Sequence, residues 1–262
     1  MKKLFACLLA LSMSLSLAAC GSNSETDDSA KKDLTVGITL YEPMNYYDEN
    51  GELTGFETEF TTAVCEKLGM TPKFQEIHWD SRVMELNSKN IDCIWNGMTS
   101  TPELADALTL SDPYLENYQV VVIRSADADK YTSTADLADA KIDAEAGSAG
   151  ETAVQTDPNL SKAEYTSMTR QVDALLEVKT GIADACVLDF VLAGAMVGQG
   201  DYSDLTVIPD LRLSVEEYVI GFRKNDELAE QVNGAIAELA EDGTLQTLAE
   251  KYDLADLLVK QN

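Results

Sequence analysis

Residues 91–103, I-D-C-I-W-N-G-M-T-S-T-P-E, join an apolar segment, a polar segment and a helix start in immediate succession. The apolar residues 91–95 predict a buried strand, and residues 96–99 follow it with an amide, a glycine and a hydroxyl. Residues 101–103 then supply the hydroxyl cap, first-turn proline and acid that are typical of a helix N-terminus. The stretch therefore predicts a strand, a polar loop and a helix whose first backbone N–H groups can meet an anion.

Strands and helices of this kind alternate along the chain after residue 33. We predict apolar strands at residues 34–40, 73–75, 91–95, 119–124, 141–144, 164–166, 183–188 and 218–222. We predict amphipathic helices at residues 57–68, 81–88, 135–138, 170–178, 190–197, 227–240 and 244–252, with another that follows the turn at 147–150. This alternation is typical of an α/β fold with largely parallel sheets. The chain is expected to cross between two lobes near residues 124 and 217, which forms a hinge beside a cleft that closes on a ligand.

The N-terminus has the pattern of an export signal. Two lysines precede an apolar run over residues 4–19, and small residues lead directly to Cys20. The run resembles a bacterial lipoprotein signal with its lipobox, which implies a signal peptide at residues 1–19 and lipid on Cys20. Residues 20–33 form a polar tether, so we expect an anchored protein at the outer face of the cytoplasmic membrane. The alternative is a soluble secreted protein whose cysteine stands there by chance.

Composition limits the partners. The formal net charge is −27, and it becomes −29 when residues 1–19, with two lysines and no acid, are removed. Such acidity disfavours nucleic acid and anionic lipid as partners. Cys65, Cys93 and Cys186 remain beside Cys20, and an odd, dispersed set is no disulfide framework. We expect no metal and no cofactor, because the chain has no C-x-x-C pair and a single histidine.

Eight short motifs, taken in order, resemble one protein family. They are YEPMNY (41–46), GELTGF (51–56), IDCIWNGMT (91–99), TPE (101–103), SDPY (111–114), GS (147–148), DACVLD (184–189) and YVIGFRK (218–224). Their order and spacing are similar to those of the family 3 solute-binding proteins of ABC importers for polar amino acids. The resemblance implies a type II periplasmic-binding-protein fold, with lobe 1 at residues 34–124 and 217–262 and lobe 2 at residues 125–216. It also implies a monomer that binds one amino acid between the lobes, catalyses nothing and delivers the ligand to a membrane permease.

The same resemblance implies which residues contact the ligand. In lobe 1 they are the bulky side chains and the polar loop, Tyr41, Trp79, Asn96, Gly97, Met98 and Thr99. In lobe 2 the hydroxyl of Ser148 and the amide of Ala149 would meet the ligand carboxylate, and Asp189 would pair with its ammonium group. Asp189 stands where a predicted strand gives way to a helix, which is where α/β folds place ligand-binding groups.

Three of these residues have alternative structural roles. Trp79 has helical spacing with Val83 and Leu86, which favours core packing on the pattern alone. Tyr41 could cap the lobe, and Asp189 could be a helix cap. These alternatives stay open at the level of sequence.

The chain departs from the family pattern at the helix that begins at Pro102. The family places an arginine there that grips the ligand carboxylate with two hydrogen bonds, whereas this chain has Leu104. Ala149 stands where the family usually has threonine, which removes a hydroxyl from the opposite side. Arg82, one helical turn from Trp79, is the best substitute cation, and Arg170 is the second.

Two further readings of this departure remain. Arg82 could instead be a solvated helix residue that pairs with Glu85. Leu104 could line an apolar pocket for an amine that lacks a carboxylate, which Asp189 and Glu42 would favour.

Three classes of function fit this scaffold. The first is a binding lipoprotein for a polar or cationic amino acid or a close derivative. The second is an enzyme of the cyclohexadienyl dehydratase type, which needs a lysine in the cleft, and no lysine suggests itself. The third is a sensory receptor module, which needs a membrane segment beyond residue 262, and we expect none.

Overall fold

The computed structural model describes residues 32–261. The predicted signal peptide, the lipidation site at Cys20 and the tether up to residue 31 lie outside the described residues. Twelve strands are present in the described part: β1 Lys32–Ile38, β2 Tyr46–Tyr47, β3 Leu53–Thr54, β4 Met70–Glu76, β5 Cys93–Thr99, β6 Thr109–Leu110, β7 Leu115–Arg124, β8 Lys141–Glu145, β9 Glu164–Met168, β10 Ala185–Asp189, β11 Leu205–Val207 and β12 Val215–Phe222. The α-helices are α1 Phe56–Lys67, α2 Arg82–Asn87, α3 Pro102–Ala107, α4 Ala149–Thr156, α5 Gln171–Thr180, α6 Phe190–Met196, α7 Leu228–Glu241 and α8 Thr244–Lys251.

One continuous sheet contains most of these strands, in the order β4-β1-β5-β12-β7-β10-β8-β9. The strands pair in parallel at both ends of this order, β4-β1-β5 and β10-β8-β9, as the alternation of strands and helices predicted. The α/β fold class is therefore confirmed.

Strands β7 and β12 join the two halves of the sheet. Residues 115–118 of β7 pair antiparallel with residues 215–218 of β12, and residues 119–123 pair antiparallel with β10. A single strand thus changes its partner in mid-course. The lobe boundaries at residues 124 and 217 stay a prediction.

An aromatic cluster fixes the end of β5. Phe60 packs edge-on against Trp95 with ring centroids 5.1 Å apart, and it lies 5.6 Å from the ring of Tyr114. All three side chains are fully buried. Large aromatic side chains contribute much apolar area to a core, so this cluster holds the residues that follow Trp95 in one position.

One element differs from its predicted form. Strand β5 runs from Cys93 to Thr99, so the segment predicted as a polar loop is strand. Met98 and Thr99 pair with Val219 and Tyr218 of β12, and this distant partner is what extends the strand. The helix predicted at residues 81–88 is confirmed as α2, Arg82–Asn87, and a 3₁₀ turn, Trp79–Ser81, precedes it.

The remaining predicted elements are confirmed within a few residues, although the segment near 135–138 is a 3₁₀ helix, Thr134–Leu137. None of the helices between residues 32 and 261 has the length and apolar composition of a bilayer-spanning segment.

Candidate functional site

A cavity of about 420 Å³ lies between β5, α2 and α3 on one side and β8, α4, α5 and β10 on the other. Nine of the eleven residues predicted from the sequence line it: Trp79, Arg82, Asn96, Gly97, Thr99, Leu104, Ser148, Ala149 and Asp189. Six further residues line it that sequence reasoning missed: Thr101, Glu103, Glu145, Gly147, Thr152 and Gln171. The structure therefore gathers residues from distant parts of the chain around one site.

Tyr41 and Met98 do not line the cavity, unlike the other predicted site residues, and their contact with ligand stays a prediction. The Tyr41 side chain is buried, and its hydroxyl lies 2.9 Å from the hydroxyl of Tyr218, beneath Gly97. Met98 is fully buried in an apolar cluster with Leu108 and Val219. Strand pairing of β5 with β12 carries the Met98 side chain into this core, so both residues support the cavity from behind.

Asn96 is fixed from three sides. Its Oδ1 accepts hydrogen bonds from the Thr39 backbone N–H (2.9 Å) and the Asn45 side chain (2.9 Å), and its Nδ2 donates to Thr39 Oγ1 (2.7 Å). A side chain whose donors and acceptors are used in this way has one orientation.

Gly97 is required by its backbone conformation and by its neighbours. Its φ of +55° lies in the left-handed region, and a Cβ added there would approach the Tyr41 hydroxyl to 2.8 Å. The buried carboxylate of Glu57 accepts from the Gly97 backbone N–H (2.8 Å), from Asn45 Nδ2 (3.0 Å) and from the Tyr114 hydroxyl. Burial raises the pKa of Glu57 to about 7.

Arg82 supplies a cation to the cavity. Its guanidinium lies 4.4 Å above the Trp79 ring, and its Nη1 donates to the Trp79 carbonyl at 2.8 Å. Nη1 also lies 3.3 Å from the position that a Cβ on Gly147 would take, so the side chain reaches from α2 to the segment before α4. In the described part of the chain, Nε of Arg82 is buried without a hydrogen-bond acceptor.

The alternative pairing of Arg82 with Glu85 is wrong. No ion pair joins them within residues 32–261, and the Glu85 carboxylate accepts instead from Asn90 at 2.6 Å. Arg170, the second candidate cation, is engaged by both oxygens of Asp173 and does not line the cavity. Arg82 thus faces the cavity and Arg170 does not.

The N-terminus of α4 adds hydrogen-bond donors beside Arg82. Ser148 is the N-cap, and its Oγ accepts from the Glu151 backbone N–H at 3.0 Å. The backbone N–H groups of Ala149 and Gly150 donate to no acceptor found among residues 32–261. Free N–H groups at a helix start bind anions, so this end of the cavity suits a carboxylate.

Leu104 occupies the cavity wall on the opposite side from α4. It is the third residue of α3, and its backbone N–H donates to the Thr101 Oγ1 cap at 3.2 Å. The predicted helix start is therefore confirmed, and its side chain brings an apolar surface where the resembling family has a cation.

The other end of the cavity is acidic. Asp189 Oδ1 accepts from Asn117 Nδ2 (2.8 Å) and Gln119 Nε2 (2.5 Å), and its Oδ2 accepts from Gln171 Nε2. The same amides of Asn117 and Gln119 also donate to Glu216 Oε1, at 2.5 Å and 2.6 Å. Although Asp189 is the N-cap residue of α6, its side chain makes no capping hydrogen bond, so the helix-cap alternative is wrong.

Three buried carboxyl groups at this end of the cavity, those of Asp189, Glu216 and Glu145, have raised pKa values. Burial raises the pKa of Asp189, and burial together with the nearby Asp189 charge raises the pKa of Glu216 to about 7. Burial and Asp189 also raise the pKa of Glu145 to about 8, although Arg82 acts in the opposite direction. A ligand cation would relieve this excess of negative charge.

A cleft between α/β lobes with a cationic end and an acidic end is the architecture of a solute-binding protein. The chain belongs to the bacterial extracellular solute-binding proteins, family 3, whose sequence profile matches residues 34–255.

Relatives and solved structures agree with this family. The chain is 30% identical over 257 residues to the arginine-binding extracellular protein ArtP of Bacillus subtilis, with 96% of this chain and 98% of ArtP covered. It is 31% identical over 282 residues to the L-cystine-binding protein TcyA of the same organism, with 94% and 96% covered. A solved ancestral arginine-binding protein bound to arginine superposes with a TM-score of 0.79 at 31% identity, covering 85% of this chain and 98% of that one. The two-lobed type II periplasmic-binding-protein fold is thereby confirmed.

Proposed function

We propose that this protein is the lipid-anchored solute-binding component of an ABC importer and that it binds a polar or cationic amino acid or a close derivative. The observation that supports the proposal most strongly is that one cavity has a cationic end and an acidic end. Arg82 and the N-terminus of α4 suit a carboxylate, and Asp189 suits an ammonium group. An α-amino acid carries both groups on one carbon. The relatives named for arginine and cystine support the same ligand class.

The eleven predicted site residues divide into two roles under this proposal. The nine that line the cavity contact the ligand, and Tyr41 and Met98 hold Gly97 and Thr99 from behind. The ligand draws the two lobes together, since groups from both sides of the cavity bind it. Closure around the ligand then presents a surface that the permease recognises.

The anchor is a separate part of the proposal. Lipid on Cys20 would hold the domain at the outer face of the cytoplasmic membrane, within reach of the permease. Replacing Cys20 with alanine should release the protein into the medium or the periplasm, while the unchanged protein partitions with membranes. Equal partitioning of the two proteins would contradict the anchor.

A thermal-shift screen tests the ligand class. The protein without residues 1–19 is refolded to strip bound ligand and is then heated with amino acids, each paired with its decarboxylated amine. A ligand at 100 times its dissociation constant stabilises the folded state by about 2.7 kcal/mol, which is an easily measured shift. We expect an amino acid to raise the midpoint more than its amine does, and no shift with any amino acid or amine would overturn the proposal.

Two variants examine the carboxylate contact. Arg82→Ala should remove the preference for the amino acid over its amine, because it deletes the cation at the α4 end of the cavity. Arg170→Ala is the matched control, since Arg170 is engaged by Asp173 and lies outside the cavity. An amine that stabilises better than every amino acid would establish the second candidate, a binding protein for a non-carboxylate amine, which Leu104 and the acidic end favour.

An enzymatic function on the same scaffold has less support. Lysine is absent from the cavity lining formed by the described residues, and the dehydratase alternative needs one. Mass spectrometry of a stabilising ligand after prolonged incubation should recover it unchanged, and conversion of the ligand would revive the enzyme alternative.

A further inference from the structure

Glu145 remains without a role once the two ends of an α-amino acid are assigned. It is the last residue of β8, lines the cavity and is only 4% exposed. Strand β8 pairs in parallel with β10, which ends at Asp189, so the carboxyl ends of both strands deliver an acid to the same edge of the sheet. One of these acids is sufficient for the ligand ammonium.

Arg82 lowers the pKa of Glu145 through its charge but is not its ion-pair partner. No salt bridge joins the two side chains in the described part of the chain, and the guanidinium is held over Trp79 by stacking and by a hydrogen bond to the Trp79 carbonyl. Glu145 is therefore a buried acid that opens onto the cavity without an ion-pair partner. Buried charges in proteins are usually paired, so this position calls for a cation from outside the chain.

The loop beside Glu145 does not depend on its carboxylate. The turn is held by Glu151, whose Oε2 accepts from the Gly147 backbone N–H at 2.7 Å, and by the Ser148 cap. Only the backbone carbonyl of Glu145 takes part, as the acceptor for the Ser148 N–H at 3.2 Å. A change of this side chain from acid to amide should leave the turn intact.

We infer that Glu145 is a specificity-determining residue that binds a positively charged side chain of the ligand, so that the cleft selects a basic amino acid. The inference rests on the proposed function, because it takes Asp189 and Arg82 as the sites for the ammonium and carboxylate groups. The ligand then brings two positive charges and one negative charge, which complement Asp189, Glu145 and Arg82 respectively.

The raised pKa of Glu145, about 8, agrees with this assignment. Burial favours the protonated form of this carboxyl in the empty cleft, and a cation beside it favours the charged form. A basic ligand should therefore release a proton as it binds, and a neutral amino acid should release fewer.

Affinity for arginine and citrulline provides the test, since the two differ in a guanidinium and an uncharged ureido group of nearly the same shape. Lysine and norleucine form a second pair for a shorter cleft. Calorimetry on the unchanged protein should show tighter binding of the charged member of at least one pair. Glu145→Gln should weaken that charged ligand by about 10- to 30-fold and leave its neutral counterpart within about threefold.

Two variants serve as controls. Asp143→Asn makes the same acid-to-amide change two residues earlier on β8, at a side chain that is equally buried (4% exposed) and does not line the cavity. It should leave the preference for the charged ligand unchanged, whereas Glu145→Asp should retain most of that preference because it keeps the charge.

The outcomes distinguish failure of the inference about Glu145 from failure of the proposed function. If a neutral amino acid binds the unchanged protein as tightly as its charged counterpart, or if Glu145→Gln keeps the preference, the inference is overturned and the proposed function stands. If neither charged nor neutral amino acids bind, the proposed function itself fails, and the inference fails with it.

Discussion

Glu57 and Asp189 are both buried carboxylates, yet only one of them faces the cavity. Glu57 is fully enclosed and accepts from Asn45, the Gly97 backbone and the Tyr114 hydroxyl. Asp189 accepts from three side-chain amides and is 7% exposed, toward the cavity. The two acids have similar numbers of donors, and burial raises the pKa of each.

The difference lies in what surrounds each acid. Glu57 has neutral hydrogen-bond donors around it and shapes the backbone that carries Gly97. Asp189 shares two of its donors with Glu216, so two negative charges compete for the same amides. Under the proposed function Asp189 is a binding acid and Glu57 a structural one, and access to the cavity and unbalanced charge distinguish them where the number of hydrogen bonds does not.

The largest expected effect is on ligand binding at Asp189. Asp189→Asn should weaken binding of an amino acid by roughly 100-fold or more, because the ammonium group loses its buried anion. The unliganded protein should unfold at an equal or higher temperature, since repulsion with Glu216 is relieved. Calorimetry and thermal unfolding measure both quantities, and unchanged affinity for every ligand would remove Asp189 from the binding site.

Gly97→Ala tests the enclosed region around Glu57, which accepts a hydrogen bond from the Gly97 backbone. The substitution should lower the free energy of unfolding by about 2–4 kcal/mol, because it combines an unfavourable φ with a close approach to Tyr41. Gly69→Ala is the matched control: its φ of +66° is similar, but nothing lies within 4 Å of the added Cβ. Equal losses in chemical denaturation would mean that the Tyr41 contact contributes nothing.

Glu57→Gln should separate stability from binding. We expect the free energy of unfolding to fall by about 1–3 kcal/mol, because an amide cannot accept from all three donors. Affinity for the ligand should change less than it does in Asp189→Asn. Glu66→Gln, at an exposed position of the same helix, should leave stability unchanged, and a larger effect on affinity than on stability would place Glu57 with the binding acids.

The smallest expected effect is the dependence of stability on pH. The pKa of Glu145 is raised to about 8 and that of Glu216 to about 7, so the folded protein binds more protons than the unfolded chain between about pH 5 and pH 8. Stability of the unliganded protein should therefore fall as the pH rises through this window.

The charges that face Glu145 are those of Arg82, Asp189 and Asp173. Of these, only Arg82 lowers its pKa, and the Gln171 amide assists. Glu145→Gln should reduce the slope of unfolding temperature against pH, and a slope identical to that of the unchanged protein would contradict a proton on Glu145.

Much of the site could be predicted from the sequence because many of its residues belong to short local motifs. The helix start at Thr101, the glycine turn before α4 and the acid at the end of β10 each have a local signature that does not depend on distant contacts. The contact of Arg82 with Trp79 could also be predicted from local sequence, because the two residues are one helical turn apart.

The missed residues depend on partners far away in the chain. Glu145 was overlooked because the predicted strand ended at residue 144, although a charged residue at the carboxyl end of an apolar strand is itself a signal. Asn117 lies in the four residues by which pairing with β12 extends β7 beyond the predicted strand, and Gln119 is the first residue of that predicted strand, so neither was assigned a binding role. Alternating polar residues in that extension could have revealed them.

The change of partner within β7 places the Asp189 carboxylate at the junction of the two halves of the sheet. Asn117 lies in the part of β7 that pairs with β12, and Gln119 lies in the part that pairs with β10. Both amides nevertheless hold the same oxygen of Asp189. Under the proposed function, the carboxylate that binds the ligand ammonium is thus held by donors from both halves of the sheet, so its hydrogen bonds depend on how the two halves are oriented.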